Sequence, residues 1–104
     1  MLISFVIPCY RSENTVANVV ETIRNTVDGR EGFEAEIILV NDCSPDGTFN
    51  TIRELTEKYD NIVGVDIAKN SGQACAIMAG LKQSRGDLVA ISDDDGQTPI
   101  ETVF

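Results

Sequence analysis

Short apolar runs alternate with segments of helical spacing along the whole chain, and that alternation limits the fold more than any other feature. Residues 2–7 form an apolar strand stopped by Pro8. Val16, Val19, Val20, Ile23 and Val27 then follow the 3.6-residue period, with Ser12 or Asn14 available as N-cap. Residues 35–40 read as a second buried strand, closed by the turn cluster Ser44, Pro45, Asp46 and Gly47. Thr48 is placed to cap a second helix whose apolar face is Phe49, Ile52, Leu55 and Tyr59. Residues 62–67 are β-branched and short, hence a third strand. Ala74, Ile77, Met78 and Leu81 mark a third helix, ended by Gly86 acting as a left-handed C′ residue, and residues 88–92 form a fourth strand. Strand and helix joined by short links imply stacked βαβ units. The expected fold class is therefore α/β, a Rossmann-like, mainly parallel sheet with helices on both faces. Unbroken Val/Ile/Leu runs fit strands covered on both sides.

The chain has 104 residues, enough for one domain. It carries 17 acidic against 8 basic residues, a net charge of -9. That balance disfavours a nucleic-acid partner, whose phosphates demand basic surface. There is no histidine, so His-based zinc sites and Ser-His or Cys-His nucleophiles cannot be built from this chain. Cys9, Cys43 and Cys75 have no CxxC spacing and are odd in number, the pattern of reduced cytoplasmic thiols. No apolar run approaches the roughly 20 residues that span a bilayer, and the first seven residues lack a basic leader, so they read as a strand rather than a signal peptide. Neither G-x-G-x-x-G nor G-x-x-x-x-G-K-[ST] occurs.

Thr98, Pro99, Ile100 and Glu101 read as N-cap, N1, N2 and N3 of a further helix with a capping box. Only about one turn follows that cap, too little for a helix whose nucleation is the costly part. The expectation is that residues 1–104 are the N-terminal part of a longer protein. Ile100, Val103 and Phe104 would then be uncovered and favour self-association.

Polar residues gather where each strand ends, at residues 8–13, 41–46, 69–73 and 93–97. In a parallel sheet all four groups lie at the carboxyl edge, where open α/β folds bind ligands. Most informative among them is the triplet Asp93, Asp94 and Asp95. In extended geometry Asp93 and Asp95 share a face, and together they suit one hard divalent cation, Mg²⁺ or Mn²⁺, bridged to phosphates. The plainer reading, a solvated acidic turn, holds for a bare triplet; the other three clusters tip the balance towards a site. Arg85, Gly86 and Asp87 spell an adhesion tripeptide, but a helix-ending glycine is the better account.

The motifs, taken in order, resemble glycosyltransferase family 2 of the GT-A fold. They are Val6-Ile7-Pro8-Cys9-Tyr10; Leu39-Val40-Asn41-Asp42-Cys43-Ser44-Pro45-Asp46-Gly47-Thr48; Asn70-Ser71-Gly72-Gln73 with Ala76, Gly80 and Leu81; Arg85-Gly86-Asp87-Leu88-Val89; and the stretch from Asp93 to Glu101. The likeness is nearest to the branch with dolichyl-phosphate mannosyltransferase and polyisoprenyl-phosphate glycosyltransferases. It implies transfer of a sugar from a UDP- or GDP-sugar to a lipid phosphate or glycan acceptor, metal-dependent and inverting, by a protein whose membrane association lies beyond this chain. It also implies that residues 1–104 bind donor without completing transfer, because the catalytic base lies elsewhere. Carried over residue by residue, Pro8 and Tyr10 line the nucleotide pocket, with Tyr10 near the base. Asp42 accepts a hydrogen bond from the base. Asp93 and Asp95 match the DXD pair, with Asp95 the direct metal ligand and Asp93 nearer the ribose or sugar phosphate. Gln97 lies in the extended DXD region, and Glu13 stands one place later than the family's usual Glu. Asn41 and Cys43 depart from the pattern, replacing the commoner Asp and Gly. The alternatives are a non-catalytic nucleotide-sugar-binding module and a signalling receiver domain. The latter wants paired acids after the first strand, where this chain has Pro8, Cys9 and Tyr10.

Overall fold

The structure is a computed structural model that describes residues 1–67 and 72–94. Among the described residues seven elements follow one another as β1 (Leu2–Cys9), α1 (Val16–Asp28), β2 (Glu34–Asp42), α2 (Thr48–Lys58), β3 (Ile62–Ile67), α3 (Gln73–Gln83) and β4 (Leu88–Ile91). The strands form one sheet of order β3-β2-β1-β4, parallel at every pairing. The chain therefore runs outward from β1 to β3, then crosses back over β1 to β4. Right-handed crossovers in opposite directions put their helices on opposite faces. Accordingly α1 and α2 cover one face and α3 the other.

The core is unequal on the two sides. Phe5, Ile3, Ile7, Ile37 and Leu39 meet Val16, Val20, Ile23 and Val27 of α1 and Ile52 and Leu55 of α2. Among the described residues the apolar cluster on the other face is smaller, with Val6, Ile38, Val40 and Ala76 fully buried. All five valines and isoleucines that mark α1 in the sequence are buried.

Helix α3 corrects its expected face. Ala76 and Gly80 are its buried residues, while Ala74 and Met78 are exposed. The reason is distance: a Cβ on Gly80 would stand 2.4 Å from Val6 Cγ1 and 3.1 Å from Val40 Cγ2. The helix lies so low on the sheet that only small residues fit beneath it, and the larger ones are displaced to the rim. Its end is also corrected. Ser84 is the C-cap, in extended conformation, and Gly86 has no left-handed φ.

The expected caps of α1 and α2 are replaced too. Thr15 is the N-cap of α1 and Gly47 that of α2, neither with a side-chain capping bond. Ser12 contributes its carbonyl to the amides of Thr15 and Val16, at 3.1 and 3.0 Å. Thr48 is the first residue of α2 and its hydroxyl is used elsewhere. Strand β4 differs from the buried strand expected: Leu88, Val89 and Ile91 are 48%, 42% and 50% exposed at the sheet's edge. The helix start at Thr98 and the apolar stripe of Ile100, Val103 and Phe104 lie outside the described residues. Among the described residues no helix is long and apolar enough to cross a membrane.

Candidate donor-binding cleft

The reversal of strand order between β1 and β4 opens a crevice at their carboxyl ends, the switch point at which such sheets bind ligands. Its local cause is visible in the backbone. Pairing of β1 with β4 ends at Val6 and Ile91, with one last bond from the Ser92 amide to the Val6 carbonyl at 3.1 Å. Two residues on, Pro8 has no N–H to offer that side, so the ladder cannot continue. Two further on, the Tyr10 amide donates to Asp94 Oδ2 at 2.9 Å instead of to a strand. The two chains are thus held together around a gap. That gap is a cleft of about 330 Å³ lined by Pro8, Cys9, Tyr10, Asp42, Gln73 and Asp94.

Each wall comes from a different strand end. Pro8 and Tyr10 follow β1, with the ring of Tyr10 43% exposed and the Arg11 guanidinium 5.6 Å from its centroid. Asp42 closes β2 and is buried. Gln73 opens α3, whose first turn points its amides towards the cleft end of the sheet. Asp94, the middle of the acidic triplet, accepts from Tyr10 through its carboxylate and from the Thr15 hydroxyl through its carbonyl, at 2.8 Å. Burial, with the Asp94 charge adding to it, pushes the Cys9 thiol up to about 12. Cys9 is thus a neutral wall rather than a nucleophile.

The loop after β2 is braced by a compact network. Asp46 receives hydrogen bonds from the hydroxyls of Ser44 and Thr48 and from the Thr48 amide at 3.1 Å. Desolvation pushes its carboxyl up, but those donors outweigh it and hold the group below its ordinary value. The same Ser44 and Thr48 hydroxyls accept from the amides of Arg11 and Ser12, at 2.8 and 2.9 Å. The loops after β1 and β2 are therefore one rigid unit.

Both departures from the family pattern find a structural account here. Asn41 pairs in register with Asp66 of β3, and its amide donates to Asp66 Oδ1 at 2.9 Å while its carbonyl oxygen accepts from the Ser44 amide at 3.3 Å. An aspartate there would face a like charge and have no proton to donate. Cys43 holds φ at 52°, in the left-handed region, where a side chain costs about 1 kcal/mol. Cys43→Gly is expected to raise the unfolding free energy by about 0.5–1 kcal/mol, read from the denaturant midpoint. A lower midpoint would show that the thiol's packing outweighs the backbone strain.

Of the residues that sequence selects, Pro8, Tyr10 and Asp42 line the cleft together. Asp93 is exposed and adjoins Asp94 in the chain. The Glu13 carboxylate lies against Gly47, at the start of α2, and Glu13 is not among the residues lining the cleft. Asp95 and Gln97 lie outside the described residues, as do residues 69–71. Among the described residues no three acidic or thiol groups are arranged to hold a metal ion. Gln73, Cys9 and Asp94 are lining residues that lie within the sequence motifs but to which the motifs assign no binding role. For Gln73 the signal was present, a polar residue opening a helix directly after a strand-end cluster.

Comparison with known proteins places the chain in a family and a fold. The chain is 35% identical over 102 residues to a dolichyl-phosphate beta-glucosyltransferase of Trichomonas vaginalis, covering 94% of this chain and 31% of the relative. It is 38% identical over 104 residues to an undecaprenyl-phosphate 4-deoxy-4-formamido-L-arabinose transferase of Pseudomonas fluorescens, covering 97% and 30%. It thus spans about a third of the length of these curated relatives. Among solved structures, TarS residues 1–349 of Staphylococcus aureus in complex with UDP-GlcNAc superposes with a TM-score of 0.79 at 26% identity, covering 99% of this chain and 29% of that one. The mannosyltransferase PcManGT of Pyrobaculum calidifontis, in complex with GDP-Man and Mn²⁺, shares the fold with a TM-score of 0.77 at 23% identity, over 89% and 27%. These neighbours are GT-A glycosyltransferases, and the four-stranded parallel sheet is that fold. The glycosyl transferase family 2 profile matches residues 4–103, and this chain belongs to that family.

Proposed function

We propose that this chain is the donor-binding part of a glycosyltransferase that uses a nucleotide-diphosphate sugar. The observation that carries the reading is the convergence of Pro8, Tyr10, Asp42, Gln73 and Asp94 on one cleft at the β1/β4 switch point, with the exposed Asp93 adjoining Asp94 in the chain. Tyr10 offers a partly exposed ring for a base to stack on. Asp42 offers a carboxylate that can accept from a base N–H. Gln73 and the first turn of α3 offer neutral donors for phosphate oxygens.

The donor set of the triplet suits a hard cation. Carboxylate oxygens from one or two residues, completed by substrate phosphates, are the usual ligands of Mg²⁺. Asp95, with Asp93 and Gln97 close in sequence, would hold Mg²⁺ or Mn²⁺. A bound ion supplies charge neutralisation for the departing diphosphate. Asp42 and Tyr10 fix the base, and the braced loops of Ser44, Asp46 and Thr48 keep both in place. The acceptor oxygen then forms its bond to the anomeric carbon from the side opposite the diphosphate, whose bond to that carbon breaks, so the configuration inverts. Lipid phosphate is the favoured acceptor class because the dolichyl- and undecaprenyl-phosphate transferases reported above are named for it. A glycan acceptor is the alternative.

Titrating UDP and GDP separately, in Mn²⁺ and in chelator, tests the reading. Binding is expected to require metal. Asp95→Asn should weaken metal-dependent binding by at least about tenfold, the loss that even outer-shell ligand partners produce. Asp42→Asn should reduce discrimination between the two bases and leave the metal requirement in place. Equal affinity with metal and with chelator, unchanged in Asp95→Asn, would reduce the triplet to an acidic turn.

A further inference from the structure

A buried carboxylate stands at the other end of the sheet from the cleft. Glu36 of β2 is 3% exposed, and it accepts from the Arg85 Nε at 2.9 Å, the Arg85 amide at 3.2 Å and the Ser4 hydroxyl at 3.3 Å. Ser4 Oγ in turn accepts from the Gly86 amide at 2.8 Å. One residue on, the Asp87 amide donates to the Leu2 carbonyl at 2.7 Å, and Asp87 Oδ2 accepts from the Leu2 amide at 2.9 Å. Glu36, Ser4, Arg85 and Asp87 thus tie β2, β1 and the residues leading into β4 into one clamp.

Strand β4 needs such a device. Register is normally set by the face a strand buries, since a slip of one residue exchanges every side chain between faces. Among the described residues Leu88, Val89 and Ile91 are each about half exposed and Ala90 only partly buried, so the contacts described for the faces of β4 do little to fix its register. The ladder to β1 is four residues long. What resists the slip is upstream, in the buried Ser4 hydroxyl and Glu36 carboxylate, whose bonds to the Gly86 and Arg85 amides are made in one register only. Asp93 lies two residues past the end of β4, so whatever fixes the start of the strand also fixes which way Asp93 and Asp94 face.

We propose that Glu36, acting with Arg85 and Ser4, is a positioning residue for Asp93 and Asp94. It sets the register of β4 from the far end of the strand, and so holds Asp94 in the cleft wall, bonded to the Tyr10 amide, with Asp93 next to it in the chain. This inference rests on the reading of the triplet as the donor- and metal-binding element. The Arg85 side chain is 78% exposed against 3% for Glu36. The buried partner therefore dominates: removing Glu36 orphans the Ser4 hydroxyl and the Arg85 amide, whereas an Arg85 truncation is softened by solvent.

The test uses the full chain with Glu36→Ala, the isosteric Glu36→Gln in case the alanine variant does not fold, and Leu55→Ala as a core control remote from β4. Two quantities are read, amide hydrogen exchange at Ser92 relative to Leu39, and affinity for UDP and GDP in Mn²⁺. The Glu36 variants should speed Ser92 exchange about tenfold or more relative to Leu39, and weaken metal-dependent nucleotide binding by a similar factor. Leu55→Ala should do neither, although it lowers the denaturation midpoint. Ser92 protection that follows Leu39 in the Glu36 variants would overturn the proposal, as would equal effects from Leu55→Ala. Absence of nucleotide binding in the unaltered chain would overturn the donor reading instead. Ser92 exchange would still decide whether Glu36 holds the end of β4.

Discussion

Gly86→Ala should lower the unfolding free energy by about 3 kcal/mol, combining overpacking with the loss of buried hydrogen bonds. A Cβ there would stand 2.6 Å from the Ser4 amide nitrogen, 2.6 Å from Ser4 Oγ and 2.8 Å from the Leu88 carbonyl oxygen. These are backbone and hydrogen-bonding atoms, not the ends of flexible side chains, so relief requires moving β1 or β4. Moving either breaks the bond from the Gly86 amide to Ser4 and strains the paired Leu2 and Asp87 bonds next to it. Urea unfolding followed by circular dichroism checks the magnitude. A loss below about 0.5 kcal/mol, the ordinary effect of a surface change, would mean that β4 shifts freely and that the clamp is soft.

Phe5→Ala should be still more damaging, by about 3–5 kcal/mol. Phe5 is fully buried in the centre of β1, pairing with Ile37 on one side and Ala90 on the other. Its ring lies on the face covered by α1 and α2, the larger of the two cores. A domain of this size has only about 5–15 kcal/mol to lose, so the variant is expected to be partly unfolded at 37 °C. Differential scanning calorimetry would show this as a large drop in Tm. A drop of only a few degrees would show that the helices can collapse into the space.

What the sequence revealed and what it hid divide along physical lines. Strands β1 and β2 were legible because both of their faces are buried and their runs are nearly unbroken. Helix α1 was legible because five branched residues repeat at helical spacing on one face. Helix α3 misled because periodicity rewards large side chains, whereas closeness to the sheet selects small ones, Ala76 and Gly80. The apolar run of β4 suggested burial that its edge position does not supply. At the site, Pro8, Tyr10 and Asp42 could be picked out because each ends a recognisable strand. Asp94 acts through a bond to the Tyr10 amide, 84 positions away, and no local pattern encodes that. Glu36 was hidden for the same reason: a single charge in an apolar strand whose partner, Arg85, lies 49 positions on. Thr48 looked like a cap, yet its hydroxyl is committed to Ser12 and Asp46.

The crossover that places β4 beside β1 also has a consequence for the chain as it is made. The end of β1 at Cys9 and the start of β4 at Leu88 are about 80 residues apart. At roughly 5–20 residues per second of synthesis, β1 leaves the ribosome about 4–16 s before its second neighbour exists. Strand β2 follows β1 much sooner and can cover one side of it. The other side stands meanwhile as an open edge, the kind of surface that recruits strands from other molecules. Pro8 sits on that edge and has no N–H to lend to a stranger. The missing donor that parts the strands around the cleft in the finished protein therefore also blunts the waiting edge in the nascent one.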